Sequence, residues 1–347
     1  MAPQKWRVKG MRHETTISLS VFAVVLATVF AVPVDVGVDP AEATFTFAAA
    51  GDIGWNETGA KSKVLLQALR GDLANLSFFL AVGDLSYSTT AGTEGAWCGY
   101  VKSYVGPSFP FELLGADHED NDPVRIANFT ACLPDKLSST GQYGKEFYFD
   151  VPAGAPLARF IQISPDMTFL PDVKWKYAIN DSHYQWAMKA IDGARAAGIR
   201  WVIVSVHRPC IGLVGTSCPI GQDIFDALLI KKVDLILHGD QHSYQRTKQL
   251  RCAPRSTAFY FRECIADSDG QFAKGAGSVI AVVGTGGRGY SSVDLTADTD
   301  RQYFAVAMGS NTPGYGWGYL RVTITATQLT ARTVFSGSWQ DTFSIAG

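Results

Sequence analysis

Short apolar runs that end in Gly-Asp recur along this chain, and they constrain its fold more than any other feature. The runs Ala43–Ala50 and Phe78–Val82 are each followed directly by Gly-Asp. Such runs, rich in β-branched and aromatic residues, are typical of buried strands, and glycine permits the sharp turn that follows. A segment with helical spacing of apolar residues, Lys63–Leu76, lies between them. Alternation of buried strands with helices predicts an α/β fold with parallel strands.

The same alternation continues through the middle of the chain. We predict strands and helices in turn at Arg159–Ile163, Tyr184–Ala197, Trp201–Val206, Asp223–Lys231 and Val233–Leu237. From Val279 onward strands follow one another, and Gly318–Thr327 and Gln328–Phe335 alternate as the arms of a hairpin do. This pattern favours a layered fold with sheets inside and helices outside. The long polar segments are predicted to be irregular functional loops: Ser86–Gly106, Ala116–Gly144 and Gly212–Gly221.

The first 43 residues have the features of a secretory signal. Basic residues precede an uncharged stretch, Thr15–Val34, whose centre is almost wholly apolar, and Ala41-Glu42-Ala43 supplies small residues at the spacing that a signal peptidase recognises. We therefore expect residues 1–43 to be removed and residues 44–347 to form a single domain. The alternative is a membrane anchor, because the stretch nearly reaches the roughly 20 residues that cross a bilayer. Pro33 and the weakly hydrophobic start favour cleavage, after which no membrane contact is expected.

The six cysteines agree with export to an oxidising compartment. Proximity along the chain favours three local pairs, although proximity alone does not decide the connectivity: Cys98 with Cys132, Cys210 with Cys218, and Cys252 with Cys264. None has the C-x-x-C spacing of a structural zinc site. Triplets that match the glycosylation pattern begin at Asn56, Asn75, Asn128 and Asn180. We expect a secreted, disulfide-bonded protein, glycosylated if its source is eukaryotic.

Composition and motifs exclude several classes of function. The chain has 347 residues, is 47% hydrophobic and carries a net charge of −2, so neither disorder nor a basic nucleic-acid surface is expected. A G-x-S-x-G nucleophile motif is absent from the sequence, which leaves a serine hydrolase without support. Gly284–Gly289 fits G-x-G-x-x-G, but a convincing helix does not follow it. We interpret this segment as a turn near the rim of an active site rather than a dinucleotide site.

Carboxylate and imidazole side chains stand at the predicted ends of several apolar runs. They are Asp52, Asp84 with Tyr87 nearby, Asp117 with His118, His207, and Asp240 with His242. Taken singly, such residues are most often turn formers, helix caps or hydrogen-bonded core residues. As an ordered set they predict convergence around metal ions that bind several protein ligands and keep positions for water and substrate.

The order of these residues resembles the calcineurin-like metallophosphoesterase superfamily, and within it the purple acid phosphatase branch. The matching motifs are Gly-Asp, Gly-Asp-x-x-Tyr, a degenerate Gly-Asn-His-Glu, Val-x-x-His-x-Pro and a degenerate Gly-His-x-His-x-Tyr-x-Arg, from Asp52 to Arg246. The resemblance implies a two-sheet β-sandwich flanked by helices, an αββα arrangement, with two metal ions at the strand ends. It assigns to the first ion, expected to be iron because of the tyrosine, the ligands Asp52, Asp84, Tyr87 and His242. It assigns Asp84 also to the second ion, with Asp117, His207 and Asp240.

Two positions depart from the family pattern. Asp117 stands in place of the asparagine, and Asp240 in place of the first histidine of Gly-His-x-His. Oxygen-rich ligation favours manganese, magnesium or calcium over zinc at the second site. The added negative charges are expected to repel phosphate and make bound water less acidic, which lowers activity. His238 is an alternative ligand there, although an ordinary strand-end histidine is the more frequent case.

The resemblance implies hydrolysis of small phosphate monoesters through attack of a metal-bound hydroxide. His118 is the predicted catalytic residue, binding the phosphate or protonating the leaving group, and Asp117 is predicted to face the substrate. Arg246 is a further substrate-binding candidate, with a structural ion pair as an equal alternative. Two other functions are considered: a catalytically weakened protein of this fold that binds metal or a ligand, and a phosphodiesterase or nucleotidase.

Overall fold

Two large β-sheets, flanking helices and a small two-stranded sheet make up the part of the chain that the structure describes. This computed structural model describes residues 43–55, 60–120, 122, 124–215, 217–254, 261–296 and 298–347. The helices are α1 (Ser62–Asp72), α2 (Glu94–Val105), α3 (Arg125–Cys132), α4 (Ser182–Ala196) and α5 (Gln222–Ile230). The strands are β1 (Thr44–Ala50), β2 (Phe78–Val82), β3 (Phe111–Leu114), β4 (Thr140–Gln142), β5 (Glu146–Val151), β6 (Ala158–Ile163), β7 (Trp201–Val206), β8 (Leu235–His238), β9 (Tyr244–Thr247), β10 (Gln249–Leu250), β11 (Ile265–Asp267), β12 (Gln271–Ala273), β13 (Val279–Val283), β14 (Phe304–Met308), β15 (Gly318–Thr325), β16 (Gln328–Phe335) and β17 (Thr342–Ala346).

The sheet topology brings the loops that follow parallel strands to common edges. Sheet A has the strand order β12-β17-β16-β15-β1-β2-β3, and sheet B has the order β14-β9-β13-β8-β7-β6-β5-β4. Strands β1, β2 and β3 are parallel to one another, as are β6, β7, β8 and β13, whereas β15 and β16 form the predicted antiparallel hairpin. Because parallel strands end at the same edge, the loops after β1, β2 and β3 lie together, and so do those after β7 and β8.

The central strands are buried on both faces. Leu80 and Ile203 belong to the core between the sheets, whereas their neighbours Phe79 and Val202 belong to the core beneath the helices. Phe47 of sheet A meets Phe160 of sheet B edge-on at a centroid distance of 4.8 Å. Burial on both faces explains the continuous apolar runs of the sequence. The predicted mixed α/β fold, two sheets flanked by helices, is confirmed.

Two of the three segments predicted to be irregular contain regular structure. Ser86–Gly106 includes helix α2, and Ala116–Gly144 includes helix α3 and strand β4, so the prediction was wrong for both. Gly95 and Gly99 weaken the intrinsic helical preference of α2. Buried Trp97 packs this helix against the core, and a disulfide joins it to α3, so tertiary contacts outweigh the local signal. The described residues of Gly212–Gly221 contain neither helix nor strand, and the other predicted elements are present with ends shifted by a few residues.

The disulfides agree with an extracellular protein. The predicted pairs are confirmed: Cys98–Cys132, Cys210–Cys218 and Cys252–Cys264. Among the described residues, every helix is too short or too polar to span a bilayer. The predicted signal falls almost wholly on residues 1–42, outside the described residues, as does Asn56. Asn75, Asn128 and Asn180 are exposed, and their glycosylation stays a prediction.

Candidate metal centre

Four predicted ligands adopt a left-handed backbone at the strand ends. The φ angles are 59° at Asp52, 52° at Asp84, 56° at Tyr87 and 63° at Asp240. These are four of the eight described non-glycine residues with positive φ. Such backbone is uncommon outside glycine and concentrates at functional sites, where the surrounding structure holds it in place.

The glycines before Asp84 and Asp240 make room for a histidine. A Cβ atom at Gly83 or at Gly239 would collide with the imidazole of His207. A Cβ atom at Gly239 would also meet the carboxylate of Asp52 at 2.8 Å. Gly83 and Gly239 therefore allow the His207 ring to pack closely between two loops, in addition to the turn that the sequence predicts.

Three ligand atoms converge in a first cluster. The Tyr87 hydroxyl donates to Oδ1 of Asp52 at 2.7 Å and lies 2.9 Å from Nε2 of His242, which is 3.2 Å from the same Asp52 oxygen. Nδ1 of His242 donates to the carbonyl of Gly289 at 3.0 Å, so its Nε2 lone pair faces the other two atoms. Metal bonds of about 2.1 Å place adjacent octahedral ligands about 3 Å apart, which matches this spacing.

A second cluster surrounds His207. Nε2 of this histidine lies 3.3 Å from Oδ1 of Asp84 and 3.4 Å from Oδ1 of Asp117, and its Nδ1 donates to the Val82 carbonyl at 2.7 Å. Asp240 has an oxygen within 4.8 Å of ligand atoms of Asp117 and His207. Asp84 also forms such a group with Asp52 and His207, so it lies between the two clusters.

The charge distribution of these clusters suits cations. Nε2 of His207 is buried without a hydrogen-bond partner among the described residues, although carboxylate oxygens face it. Burial lowers the pKa of His207, but the charge of Asp84 and the contact with Asp117 outweigh burial and hold the pKa well above its ordinary value. Burial also raises the pKa of Asp240, to about 6, with Asp52 and Asp117 adding to the effect. Metal ions would relieve this concentration of negative charge, and the residues present fit two of them.

Arg208 shares Asp240 with the second cluster, a contact that the sequence analysis missed. Its Nε lies 3.5 Å from Oδ1 of Asp240, and its Nη1 donates to Asp166 at 3.1 Å. Lys174 donates to the other oxygen of Asp166 at 2.9 Å. The guanidinium therefore offsets part of the charge that Asp240 adds. The available sequence signal was its position directly after His207.

Glu119 is a second residue that the sequence analysis missed. Its carboxylate accepts backbone N–H groups from Asp84 at 3.1 Å, Leu85 at 2.9 Å and Ala116 at 3.1 Å. Burial, with Asp84 adding to it, raises the pKa of Glu119 to about 8. The side chain joins the loop after β2 to the loop after β3. The sequence feature that could have indicated this role is the position of Glu119 at the end of the motif Gly115-Ala-Asp-His-Glu119.

His118 borders the clusters on the solvent side. Its Nε2 lies 3.8 Å from Oδ2 of Asp84, its backbone N–H donates to Oδ1 of Asp84 at 3.3 Å, and its side chain is 45% exposed. The ring packs on Tyr87 at a centroid distance of 4.3 Å. The guanidinium of Arg288 lies 4.6 Å from the centre of the Tyr87 ring. The imidazole of His118 is thus accessible to a ligand held by the clusters.

Two candidate residues have their hydrogen bonds outside the clusters. Arg246 donates from Nε and Nη2 to both oxygens of Asp341, at 2.7 and 3.1 Å, and is buried. This geometry favours the structural alternative for Arg246, so we leave it out of the proposed site. Nδ1 of His238 donates to the Val206 carbonyl at 2.6 Å, and burial lowers its pKa to about 4. The acid and histidine groups found among the described residues do not include His238.

The glycine-rich turn at Gly284–Gly289 lies against the first cluster. Gly286 and Arg288 donate backbone N–H groups to the carbonyls of Gly51 and Asp52, each at 2.9 Å. The Gly289 carbonyl accepts the hydrogen bond from Nδ1 of His242. These contacts agree with a turn at the rim of the site.

Comparison with known proteins identifies the fold. A search of protein-family models and a search of curated proteins each find no match. Among solved structures, purple acid phosphatase PPD1 from yellow lupin (Lupinus luteus) seeds superposes with a TM-score of 0.64 at 15% identity, covering 88% of this chain and 54% of that one. The chain has the metallophosphoesterase fold. It spans about half of the lupin protein (54%).

Two further structures have this fold. GAP50, the anchor in the inner membrane complex of Plasmodium, gives a TM-score of 0.56 at 13% identity, covering 88% of this chain and 90% of that one. PhoD gives a TM-score of 0.53 at 14% identity, covering 87% of this chain and 70% of that one. The resemblance to calcineurin-like metallophosphoesterases is therefore confirmed in the fold.

Proposed function

We propose that this chain is a secreted, metal-dependent phosphoesterase that hydrolyses phosphate monoesters. The observation that supports this proposal is the convergence of ligand atoms from separate loops into two clusters with Asp84 between them: Asp52, Tyr87 and His242 on one side, and Asp117, His207 and Asp240 on the other. Two bound ions would supply Lewis-acid stabilisation of the phosphate and activation of a water molecule.

The donor sets differ, and so do the ions that we propose. The phenol oxygen of Tyr87 favours a hard trivalent iron in the first cluster. Carboxylates of Asp117 and Asp240 favour manganese, magnesium or calcium over zinc in the second. Both histidines donate Nδ1–H to a carbonyl, which fixes the tautomer that presents Nε2 to an ion.

The remaining residues of the site position and protonate the substrate. His118 is half-exposed beside Asp84, so it is placed to hydrogen-bond the phosphate and to donate a proton to the leaving oxygen. Asp117 is 37% exposed and faces the same space, where its charge would oppose the phosphate unless an ion holds it. Glu119 fixes the loops that carry Asp84 and Asp117.

Metal content and spectroscopy test the proposal. Purified protein incubated with iron and manganese and then gel-filtered should retain up to two metal ions per chain and hydrolyse 4-nitrophenyl phosphate. If Tyr87 binds ferric iron, a visible charge-transfer band should be present in the wild type, absent in Tyr87→Phe and unchanged in Tyr104→Phe, a tyrosine of α2. A metal-free protein after this treatment would contradict the proposal.

A catalytically weakened, ligand-binding protein is the second candidate. The Arg208–Asp240 contact favours it, because a guanidinium competes with an ion for the same carboxylate. GAP50 is named as an anchor, so the fold alone does not establish catalysis. Metal retention without turnover of 4-nitrophenyl phosphate would favour this candidate, and preferential cleavage of bis(4-nitrophenyl) phosphate would favour a phosphodiesterase.

We also propose that residues 44–347 form one exported domain after removal of residues 1–43. The confirmed disulfides support export. Amino-terminal sequencing of protein recovered outside the cell should begin near Thr44. Recovery in membranes with residue 21–32 peptides still attached would favour the anchor instead.

A further inference from the structure

Three aromatic side chains form a cluster at the rim of the site. The rings of Tyr290 and Trp317 stack with centroids 5.2 Å apart and planes inclined by 19°. Tyr315 packs edge-on against Tyr290 at 5.7 Å and against Trp317 at 5.6 Å. Tyr315 is 39% exposed, and the other two rings are partly exposed. We call Tyr290, Tyr315 and Trp317 the rim cluster.

Hydrogen bonds hold the rim cluster in place. The Tyr290 hydroxyl donates to the Gly316 carbonyl at 2.8 Å, and the Trp317 indole N–H donates to the Arg288 carbonyl at 3.1 Å. The Gly318 N–H donates to the Thr285 carbonyl at 3.1 Å, which joins the segment to the glycine-rich turn. An aromatic surface fixed in this way binds a flat ring with little loss of conformational freedom.

The rim cluster is adjacent to the first ligand cluster. The Gly289 carbonyl accepts a hydrogen bond from Nδ1 of His242. Tyr290 follows Gly289 directly, so the Cα atoms of Gly289 and Tyr290 are about 3.8 Å apart. Burial and the charge of Asp52 raise the pKa of Tyr290 well above its ordinary value, in agreement with this proximity. Nζ of Lys61 lies 5.9 Å from the Trp317 ring centre, and Arg288 lies over Tyr87. Aromatic surface and positive charge thus occur together beside the site.

We propose that the rim cluster binds the leaving group of the substrate, and that this group is aromatic, so that the preferred substrates are phosphate monoesters of flat aromatic alcohols. This inference rests on the proposed function. In this arrangement a phosphate bound between the two ligand clusters would extend its ester group towards the rim, and the exposed ring of Tyr315 would contact an aromatic leaving group there. A small aliphatic leaving group makes no comparable contact.

Binding of non-hydrolysable phosphonates tests the inference without turnover. Calorimetry on the metal-loaded protein compares inorganic phosphate, methylphosphonate and phenylphosphonate. We expect phenylphosphonate to bind roughly three- to tenfold more tightly than methylphosphonate, the range of one aromatic contact. Tyr315→Leu should bring that ratio towards one and leave inorganic phosphate binding unchanged, whereas Tyr315→Phe, which keeps the ring, should preserve it.

Trp186→Leu, an aromatic replacement on helix α4, is the matched control and should leave all three affinities unchanged. Equal affinity of the two phosphonates, or a ratio that Tyr315→Leu leaves unchanged, would overturn the rim-cluster inference while phosphate binding keeps the proposed function intact. Failure of phosphate and both phosphonates to bind the metal-loaded protein would instead overturn the proposed function, and the inference with it.

Discussion

Asp117 and Asp240 are the residues that set this site apart from the family pattern that the sequence resembles. Asp117 faces Nε2 of His207 at 3.4 Å, and Asp240 is shared with Arg208. The contacts of His207 with Asp84 and Asp117 keep both carboxylates ionised, since the pKa of each is lowered in spite of burial. The second cluster therefore presents more negative charge to a phosphate than a site with amide and imidazole ligands would.

Restoring neutral ligands tests the effect of this charge. The double variant Asp117→Asn with Asp240→His should raise kcat/KM on 4-nitrophenyl phosphate by about tenfold, the lower end of the effect of changes around metal ligands. Asp172→Asn, an exposed carboxylate, should change nothing. A loss of activity in the double variant would show that both carboxylates are adapted ligands.

At the scale of elements, the site is built from loops that buried groups hold together. Glu119 ties the loops after β2 and β3 through three backbone N–H groups. On β3 itself, Glu112 is fully buried and accepts the N–H of Lys136 at 3.1 Å. Each carboxylate thus holds backbone that lies outside the helices and strands.

Glu119→Gln should destabilise the protein. The amide nitrogen would replace one carboxylate oxygen and leave at least one buried N–H without an acceptor, at a cost of about 1–3 kcal/mol in the free energy of unfolding. Urea unfolding measures the loss, with Glu263→Gln, an exposed residue, as the matched control. Equal stability of the two variants would contradict the joining role of Glu119.

We expect the stability to depend on pH through Glu112. Burial raises its pKa to about 7, above the ordinary value of 4.5, so the folded state binds the proton more tightly than the unfolded state. The proton on Glu112 stabilises the folded state fully below the pKa of the unfolded state, and this stabilisation is lost as the pH rises through about 7. It contributes at most about 3 kcal/mol to the free energy of unfolding. Glu112→Gln should remove this component. Unfolding free energies at pH 4.5 and pH 8 measure it, and an equal pH dependence in wild type and variant would refute it.

At the scale of the whole molecule, the candidate ligands join the two sheets. Asp52, Asp84 and Asp117 follow strands of sheet A, whereas His207 and Asp240 follow strands of sheet B. A bound ion would therefore add a link between sheets that already meet through apolar packing and through hydrogen bonds such as that from His207 to the Val82 carbonyl. Metal binding would then stabilise the folded chain as a whole, since the unfolded chain does not present the ligands together.

Removal of metal should lower the thermal stability. With free metal at roughly 100 times its dissociation constant, binding adds about 3 kcal/mol to the free energy of unfolding. A chelator should lower Tm by several degrees in the wild type and leave Tm unchanged in Asp84→Asn, which lacks the ligand between the two clusters. An identical Tm with and without chelator in the wild type would contradict the linkage of the sheets.

The sequence by itself determined the features that depend on short stretches of chain. Continuous apolar runs predicted the strands that both sheets bury, and Gly-Asp at their ends predicted where Asp52 and Asp84 lie. Proximity along the chain predicted the three disulfides. These predictions succeed because periodicity, turn chemistry and short loop closure are local properties of the chain.

Outside the ligand set that the family resemblance predicts, only the tertiary structure decided which distant residues meet. Helix α2 is stabilised by packing and by a disulfide, although its two glycines disfavour a helix. Asp341 pairs with Arg246, which lies 95 positions earlier in the chain. Arg208 meets Asp240, and Tyr290 meets Trp317, across separate loops. Contacts of this kind depend on how the edges of the two sheets are aligned with each other. That alignment is set by the packing of the whole core, so no local sequence pattern encodes it.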